Sequence, residues 1–167
     1  MQRKKIAEAM KNVYFQKMTP NGYHEIEQEI AQLQEKRPTK IAQLKAARAL
    51  GDLSENTEYS TAKRELRHLE SRLRYLNKQL QYSQVVKPAD GQTVDLGTKV
   101  TLRFDDDDEV TDYQVVGKME ANLTKQKISF DSPLGKALLH HRAGETVTVQ
   151  APQASYQVTI IKIQVVD

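Results

Sequence analysis

Three carboxylates stand at a regular interval near the middle of the chain: Asp52, Glu55 and Glu58, each three residues beyond the last. On a helical turn that spacing brings side chains to one face. Carboxylate oxygens are hard ligands of the kind Mg²⁺ takes, and metal-assisted phosphodiester cleavage needs such ligands to hold the ion and orient a water. Two or three carboxylates can share that work but cannot complete a site, so the rest of a catalytic centre would have to come from a partner. The same residues carry a second meaning. Asp52-x-x-Glu55 has the form of a capping box with Asp in place of the usual Ser or Thr, and acidic residues in a first helical turn offset the macrodipole. The two readings are compatible, because a carboxylate can cap a helix in one state and bind metal in another. Basic residues flank the group, Lys45 and Arg48 before it and Lys63, Arg64 and Arg67 after it.

Two long helices are predicted to present this segment. Tyr59, Ala62, Leu66, Leu69, Leu73, Leu76 and Leu80 recur at alternating intervals of three and four, the seam of a coiled coil. Tyr23, Ile26, Ile30 and Leu33 begin the same spacing, which meets Arg37 and Lys40 and resumes at Leu44 and Ala47. Thr19 is a suitable cap and Pro20 a suitable first residue for the earlier helix. Pro38 lies inside it and is expected to kink the helix or break its hydrogen-bond ladder. Gly51 is the single glycine between residues 23 and 82 and falls between the two patterns, where a helix end is expected. One short break between two such helices implies an antiparallel hairpin. Arms of roughly 30 residues give it a length of about 45 Å. With little sequence left to surround it, it is expected to project as a finger with its tip at residues 51–58.

Composition changes near Lys87–Asp90. Five of the seven glycines lie beyond it, and β-branched residues become common. Thr98–Phe104, Val110–Val116, Lys127–Phe130, Thr146–Gln150 and Tyr156–Val166 are the expected strands. Ser132 and Pro133 are expected to open a helix to about Leu139. Asp105–Asp108 with Glu109 reads as a solvated turn rather than a cation site. The fold class is therefore α+β. Its expected parts are a basic extension at residues 1–17, an antiparallel coiled-coil hairpin at 18–87 and a β-rich domain at 88–167. The extension has no assigned role; an arm, a short helix and an edge strand are all open to it.

Charge follows the same division. Residues 1–87 hold 17 Lys and Arg against 10 Asp and Glu, and residues 88–167 hold 8 against 12, within a chain of net charge +3. A basic half joined to an acidic half suggests modules with different partners. The 167 residues include no cysteine, which excludes disulfides, thiol catalysis and thiolate zinc sites. The four histidines, at 24, 68, 140 and 141, lack zinc-ligand spacing. No glycine-rich phosphate loop or nucleophile triad is present. No apolar run approaches the ~20 residues of a membrane span and no signal peptide is evident, so the chain reads as cytosolic with no membrane partner. The apolar seam should be satisfied within one hairpin, which favours a monomer.

The run from Met18 to Tyr23 (MTPNGY) and that from Ala46 to Tyr59 (AARALGDLSENTEY) resemble the bacterial Gre transcript cleavage factors, most nearly the GreA type. Val115-Val116-Gly117, Glu120-Ala121, the stretch from Ile128 to Leu139, and Ala143-Gly144-Glu145 continue the likeness, which covers about residues 18–166. The resemblance implies that the β-rich domain is FKBP-like and binds RNA polymerase at the rim of its secondary channel. It implies that the coiled coil enters the channel and stimulates the polymerase's own cleavage of backtracked RNA, freeing a new 3′ end. The chain itself would then be no enzyme and hold no cofactor of its own. By position, Asp52 and Glu55 would help hold a Mg²⁺ shared with the polymerase, with Glu58 nearby. Asp131, Ser132 and Pro133 would meet the polymerase, with a helix N-terminus as the alternative role. Arg48, Lys63, Arg64 and Arg67 would attract the extruded RNA 3′ end, with a solvated face as theirs.

The chain departs from the family pattern at Asn122, where Asp is common after Glu-Ala. Leu139-His140-His141-Arg142 stands for a Leu-Gly-Lys-Lys type segment, and Gln153-Ala154-Ser155 for a glycine-containing hairpin. A rival reading keeps the fold and the channel but makes the chain a paralogue that inhibits or modulates transcription without cleavage. A third makes it a coiled-coil adaptor with no part in transcription.

Overall fold

A computed structural model describes residues 16–52, 55–88 and 90–166. Most of the basic extension, and Leu53 and Ser54 of the acidic run, lie outside the described residues. The chain divides into two compact units, residues 24–82 and residues 16–23 with 83–166.

The first unit is a helical hairpin. Helix α1 spans Pro20–Ala49 and α2 spans Thr57–Gln81. Thr19 caps α1 as its position suggests, its hydroxyl accepting the Gly22 N–H at 3.1 Å. Pairs across the hairpin run in opposite senses along the two helices, Ala47 with Asn56, Lys40 with Glu65 and Arg37 with Glu70, so the arms are antiparallel. The seam buries as its period requires. Ala62, Leu69 and Leu76, seven apart, are buried on α2, while Tyr59, Leu66, Leu73 and Leu80 are half-buried. Ile26, Ile30 and Ala47 are buried on α1. Where the α1 register reaches Arg37 and Lys40, ion pairs to Glu70 (3.1 Å) and Glu65 (2.9 Å) take over. The Lys40 ammonium, hydrogen-bonded to Glu65, holds that carboxyl below the usual range. Such exposed pairs set register more than stability.

Pro38 does not end α1; the helix runs through it, and the expected local break in the ladder is confined to the one bond that proline cannot donate. The physical reason is its place. Pro38 is exposed, so the Gln34 carbonyl that loses its N–H partner can turn to water, and the neighbouring Arg37 and Lys40 are anchored to α2.

The second unit is built on a five-stranded sheet. Its strands β3 (Thr98–Phe104), β4 (Val110–Val116), β5 (Lys127–Ser129), β6 (Thr146–Gln150) and β7 (Ser155–Val165) lie in the order β5-β4-β3-β7-β6. Only the β4–β5 pair is parallel. Alternation places Val100, Leu102, Val147, Val149, Val158 and Ile160 in one core with Val115, Ile128 and Leu138 of the short helix α3 (Pro133–Leu138). The expected strands and helix are present with ends shifted by about one residue. Asp105 to Asp107 form an exposed turn closed by its own bonds: Glu109 N–H to Asp107, and the Thr159 hydroxyl to Asp105.

A parallel pair of three-residue strands, β1 (Gln16–Met18) and β2 (Ser83–Val85), follows; β1 agrees with the edge-strand alternative for the end of the extension, whereas its partner β2 was not expected. The pair takes Gln16 and Lys17, the end of the expected extension, into a sheet. Glu120 secures the same region. Its carboxylate accepts the Thr19 N–H at 3.0 Å, the Thr19 hydroxyl, and the Gly117 N–H at 2.9 Å. A Cβ on Gly22 would fall 2.1 Å from that carboxylate, and one on Gly117 would fall 2.2 Å from the Lys17 carbonyl oxygen, so both positions need glycine. Among the described residues, no helix is long and apolar enough to cross a membrane.

Of the departures noted above, Asn122 is benign: its side chain accepts the Thr124 and Lys125 N–H groups and caps a turn, which Asp would also do. His140 is not benign. It stands at φ +68°, in the left-handed region that favours glycine. A left-handed residue with a Cβ costs roughly 1–2 kcal/mol, offset in part by the extra chain entropy that glycine loses on folding. His140→Gly is therefore expected to stabilise the domain by about 0.5–1 kcal/mol, read as a rise of roughly 1–4 °C in the thermal midpoint.

Candidate functional site

The acidic segment joins the end of α1 to the start of α2. The Leu50 N–H closes the last turn of α1 on the Ala47 carbonyl at 3.2 Å. Gly51 follows at φ +111°, with open space where a Cβ would project. Its requirement is thus conformational rather than steric, as for a residue just past a helix end. Helix α2 begins at Thr57. Its cap is Asn56, in extended geometry, whose side chain accepts the Tyr59 N–H at 3.1 Å.

This overturns the capping reading of Asp52 and Glu55. A capping box needs its acidic member at the third helical position, and both residues precede the cap, outside either helix. It also overturns the expectation that the three carboxylates share one face of a helical turn. Only Glu58 is helical, in the first turn of α2, where it suits the dipole. Asp52 and Glu55 are exposed, and Leu50 beside them is 67% exposed. Among the described residues, no group of three or more His, Asp and Glu side chains is arranged to hold a metal ion. Asp52 and Glu55 have the right donor chemistry for Mg²⁺, and as a pair they supply too few oxygens to fill its near-octahedral shell.

The basic residues come together. Lys63, Arg64 and Arg67 line a shallow groove with Tyr59 and His68. Arg48 joins them from α1: its guanidinium lies 5.8 Å from the Tyr59 ring centroid, and the Lys63 ammonium 5.9 Å from it. Both distances fall within cation–π range. Tyr59 was legible only as a seam residue, and its role as the aromatic centre of the cationic group emerges from the fold. Glu58 lines a second groove with Leu50, Ala46 and Thr61.

Asp131, Ser132 and Pro133 open α3. The Ser132 hydroxyl accepts the Gly135 N–H at 3.1 Å and donates to the Ser129 carbonyl at 2.6 Å, and Asp131 accepts the hydroxyl of buried Ser129. A Cβ on Gly135 would lie 2.1 Å from the Ser129 carbonyl oxygen. The loop is thus tied from within, with Asp131 and Pro133 exposed. The helix-terminus role assigned to these residues is observed.

Family models match both units: "Transcription elongation factor, N-terminal" over residues 16–85 and "Transcription elongation factor, GreA/GreB, C-term" over residues 88–165. The chain belongs to the GreA/GreB family of transcription elongation factors. It is 59% identical to Transcription elongation factor GreA 1 of Lactiplantibacillus plantarum, over 90% of this chain and 96% of that protein. It is 41% identical to Transcription elongation factor GreA of Bradyrhizobium sp., over 88% and 95%. These relatives make it a GreA-type factor. Among solved structures, Thermus aquaticus Gfh1 aligns over 90% of this chain and 99% of that one, at 27% identity and a TM-score of 0.42.

With the cap of α2 on Asn56, Asn56→Ala should lower the stability of this GreA-type factor by about 1 kcal/mol, whereas Glu55→Gln should stay within about 0.5 kcal/mol of wild type. Thermal unfolding of the two variants checks both.

Proposed function

We propose that this factor binds RNA polymerase, inserts its helical hairpin into the secondary channel, and stimulates the polymerase's intrinsic cleavage of backtracked RNA so that arrested elongation resumes. The observation that carries the reading is the placement of Asp52 and Glu55. They are exposed, lie between the end of α1 at Ala49 and the start of α2 at Thr57, and leave the cap of α2 to Asn56. Family membership supports the reading at the level of transcription elongation.

In this mechanism Asp52 and Glu55 contribute anionic oxygens to a centre whose other ligands and walls belong to the polymerase. Mg²⁺ bound there would lower the pKa of a bound water and stabilise charge on the phosphodiester. Glu58, one turn into α2, adds negative potential nearby. The cationic groove of Arg48, Lys63, Arg64 and Arg67 draws the displaced RNA 3′ end by phosphate attraction, which weakens with salt. Asp131, Ser132 and Pro133 meet the channel rim, presented by a loop whose internal bonds limit the entropy lost on docking. The bond-breaking centre is the polymerase's, so the factor is an activator and not a nuclease.

Stalled elongation complexes test this. With polymerase, Mg²⁺ and the factor, short 3′ RNA fragments should be released; the factor alone should cut nothing. Asp52→Asn and Glu55→Gln should slow release by about 10²-fold or more while polymerase binding persists. Binding without fragment release by wild type would point instead to a modulator of the channel. Absence of binding would remove transcription from the account.

A further inference from the structure

We infer that Asn56 is a positioning residue for the acidic segment, holding Asp52 and Glu55 by a clasp across the two helix ends. Its bearing on RNA cleavage rests on the function proposed above; the clasp itself does not. One planar amide makes two bonds in opposite directions. Its Oδ1 accepts the Tyr59 N–H of α2 at 3.1 Å, and its Nδ2 donates to the Ala47 carbonyl of α1 at 2.7 Å. That carbonyl lies in the last turn of α1, where it also accepts the Leu50 N–H at 3.2 Å, so the Asn56 amide is its second donor. Ala47 is buried and Asn56 half-buried, so this bond is better shielded from water than the ion pairs along the stem.

Cap geometry alone does not require the second bond. Serine, threonine and aspartate cap α-helices about as well as asparagine. Asparagine alone among them carries an acceptor and N–H donors on one rigid plane. Aspartate would set an anionic oxygen against the Ala47 carbonyl. The serine hydroxyl can both accept and donate, but it is a bond shorter and would fall short of the Ala47 carbonyl while it accepts the Tyr59 N–H.

The clasp ties residue 56 to residue 47 across the acidic segment. The two carboxylates stand near its ends in sequence, Glu55 next to Asn56 and Asp52 next to Gly51. Closing a short loop removes most of the conformations its residues would otherwise sample. That matters for a ligand pair lent to another protein's metal centre, where displacement of about 1 Å costs much of the rate. The backbone-ordering role and the cap role are separable, because they use different atoms of the same side chain.

The test uses the full chain with Asn56→Ser and Asn56→Asp. Both keep an N-cap oxygen and lose the donor to Ala47, and only the second adds charge. Helix content should match wild type in each. Backbone amide order parameters at Gly51, Asp52 and Glu55 should be near the rigid value of ~0.85 in wild type and below about 0.6 in both variants. At equal polymerase occupancy, the Mg²⁺ concentration giving half-maximal RNA cleavage should rise about tenfold, with most of the rate restored at saturating Mg²⁺. A simple loss of cap stability would not produce that split. Unchanged order parameters in Asn56→Ser overturn the clasp, and an unchanged Mg²⁺ midpoint overturns its role in placing the carboxylates. If wild type releases no RNA fragment, the proposed function fails, while the order parameters still decide the clasp.

Discussion

The structure depends on how two helix ends are satisfied where they meet. An α-helix leaves four carbonyls unpaired at its end and four N–H groups unpaired at its start. Here seven residues separate the end of α1 from the start of α2, and Asn56 serves both. Gly51 supplies the left-handed turn that lets the chain reverse within so few residues. Without that reversal the two apolar seams could not face each other, and no segment would be left between them to carry exposed carboxylates.

The stem shows how a seam tolerates interruption. Arg37 and Lys40 stand where the heptad pattern asks for apolar residues, and a buried charge there would be costly. The hairpin meets this by keeping both at the surface and pairing them with Glu70 and Glu65. Arg72 and Glu29 pair in the same way at 2.9 Å. These contacts bracket Pro38, so the one residue that cannot donate to the ladder sits in a stretch fastened from both sides. Packing across the hairpin, rather than local propensity, decides that α1 is one helix.

Much of this was legible in the sequence, and the misses have definite causes. A seam repeated over three heptads leaves little freedom, so α2 and its buried face were readable, as were Thr19–Pro20 as a start and the alternating strands β3, β4 and β6. The cap of α2 was misread because Asp52, Ser54, Asn56 and Thr57 are all good cap residues at close spacing. Composition ranks them nearly equal; in the structure Asn56 holds the cap position, and its side chain also reaches the Ala47 carbonyl of α1. The β1–β2 pair was invisible because each strand has three residues and the partners are separated by more than sixty positions. Glu120 matched a motif, but its bonds to Thr19 and Gly117 join distant segments and have no local signature. His140 looked like a simple exchange until the backbone showed its left-handed φ.

The location of the cap also bears on what the acidic residues can do. A carboxylate that caps a helix spends its oxygens on backbone N–H groups, and withdrawing it to bind a metal would cost about 1 kcal/mol of helix stability each time. A neutral amide at Asn56 removes that conflict. The first turn of α2 is held whether or not Asp52 and Glu55 are engaged elsewhere, and Glu58 alone remains coupled to the helix dipole. Under the proposed function, engaging the two carboxylates at a shared magnesium site would leave the Asn56 cap of α2 in place. The capping box that the spacing suggested would have tied delivery and chemistry to the same atoms, whereas the fold assigns them to different residues.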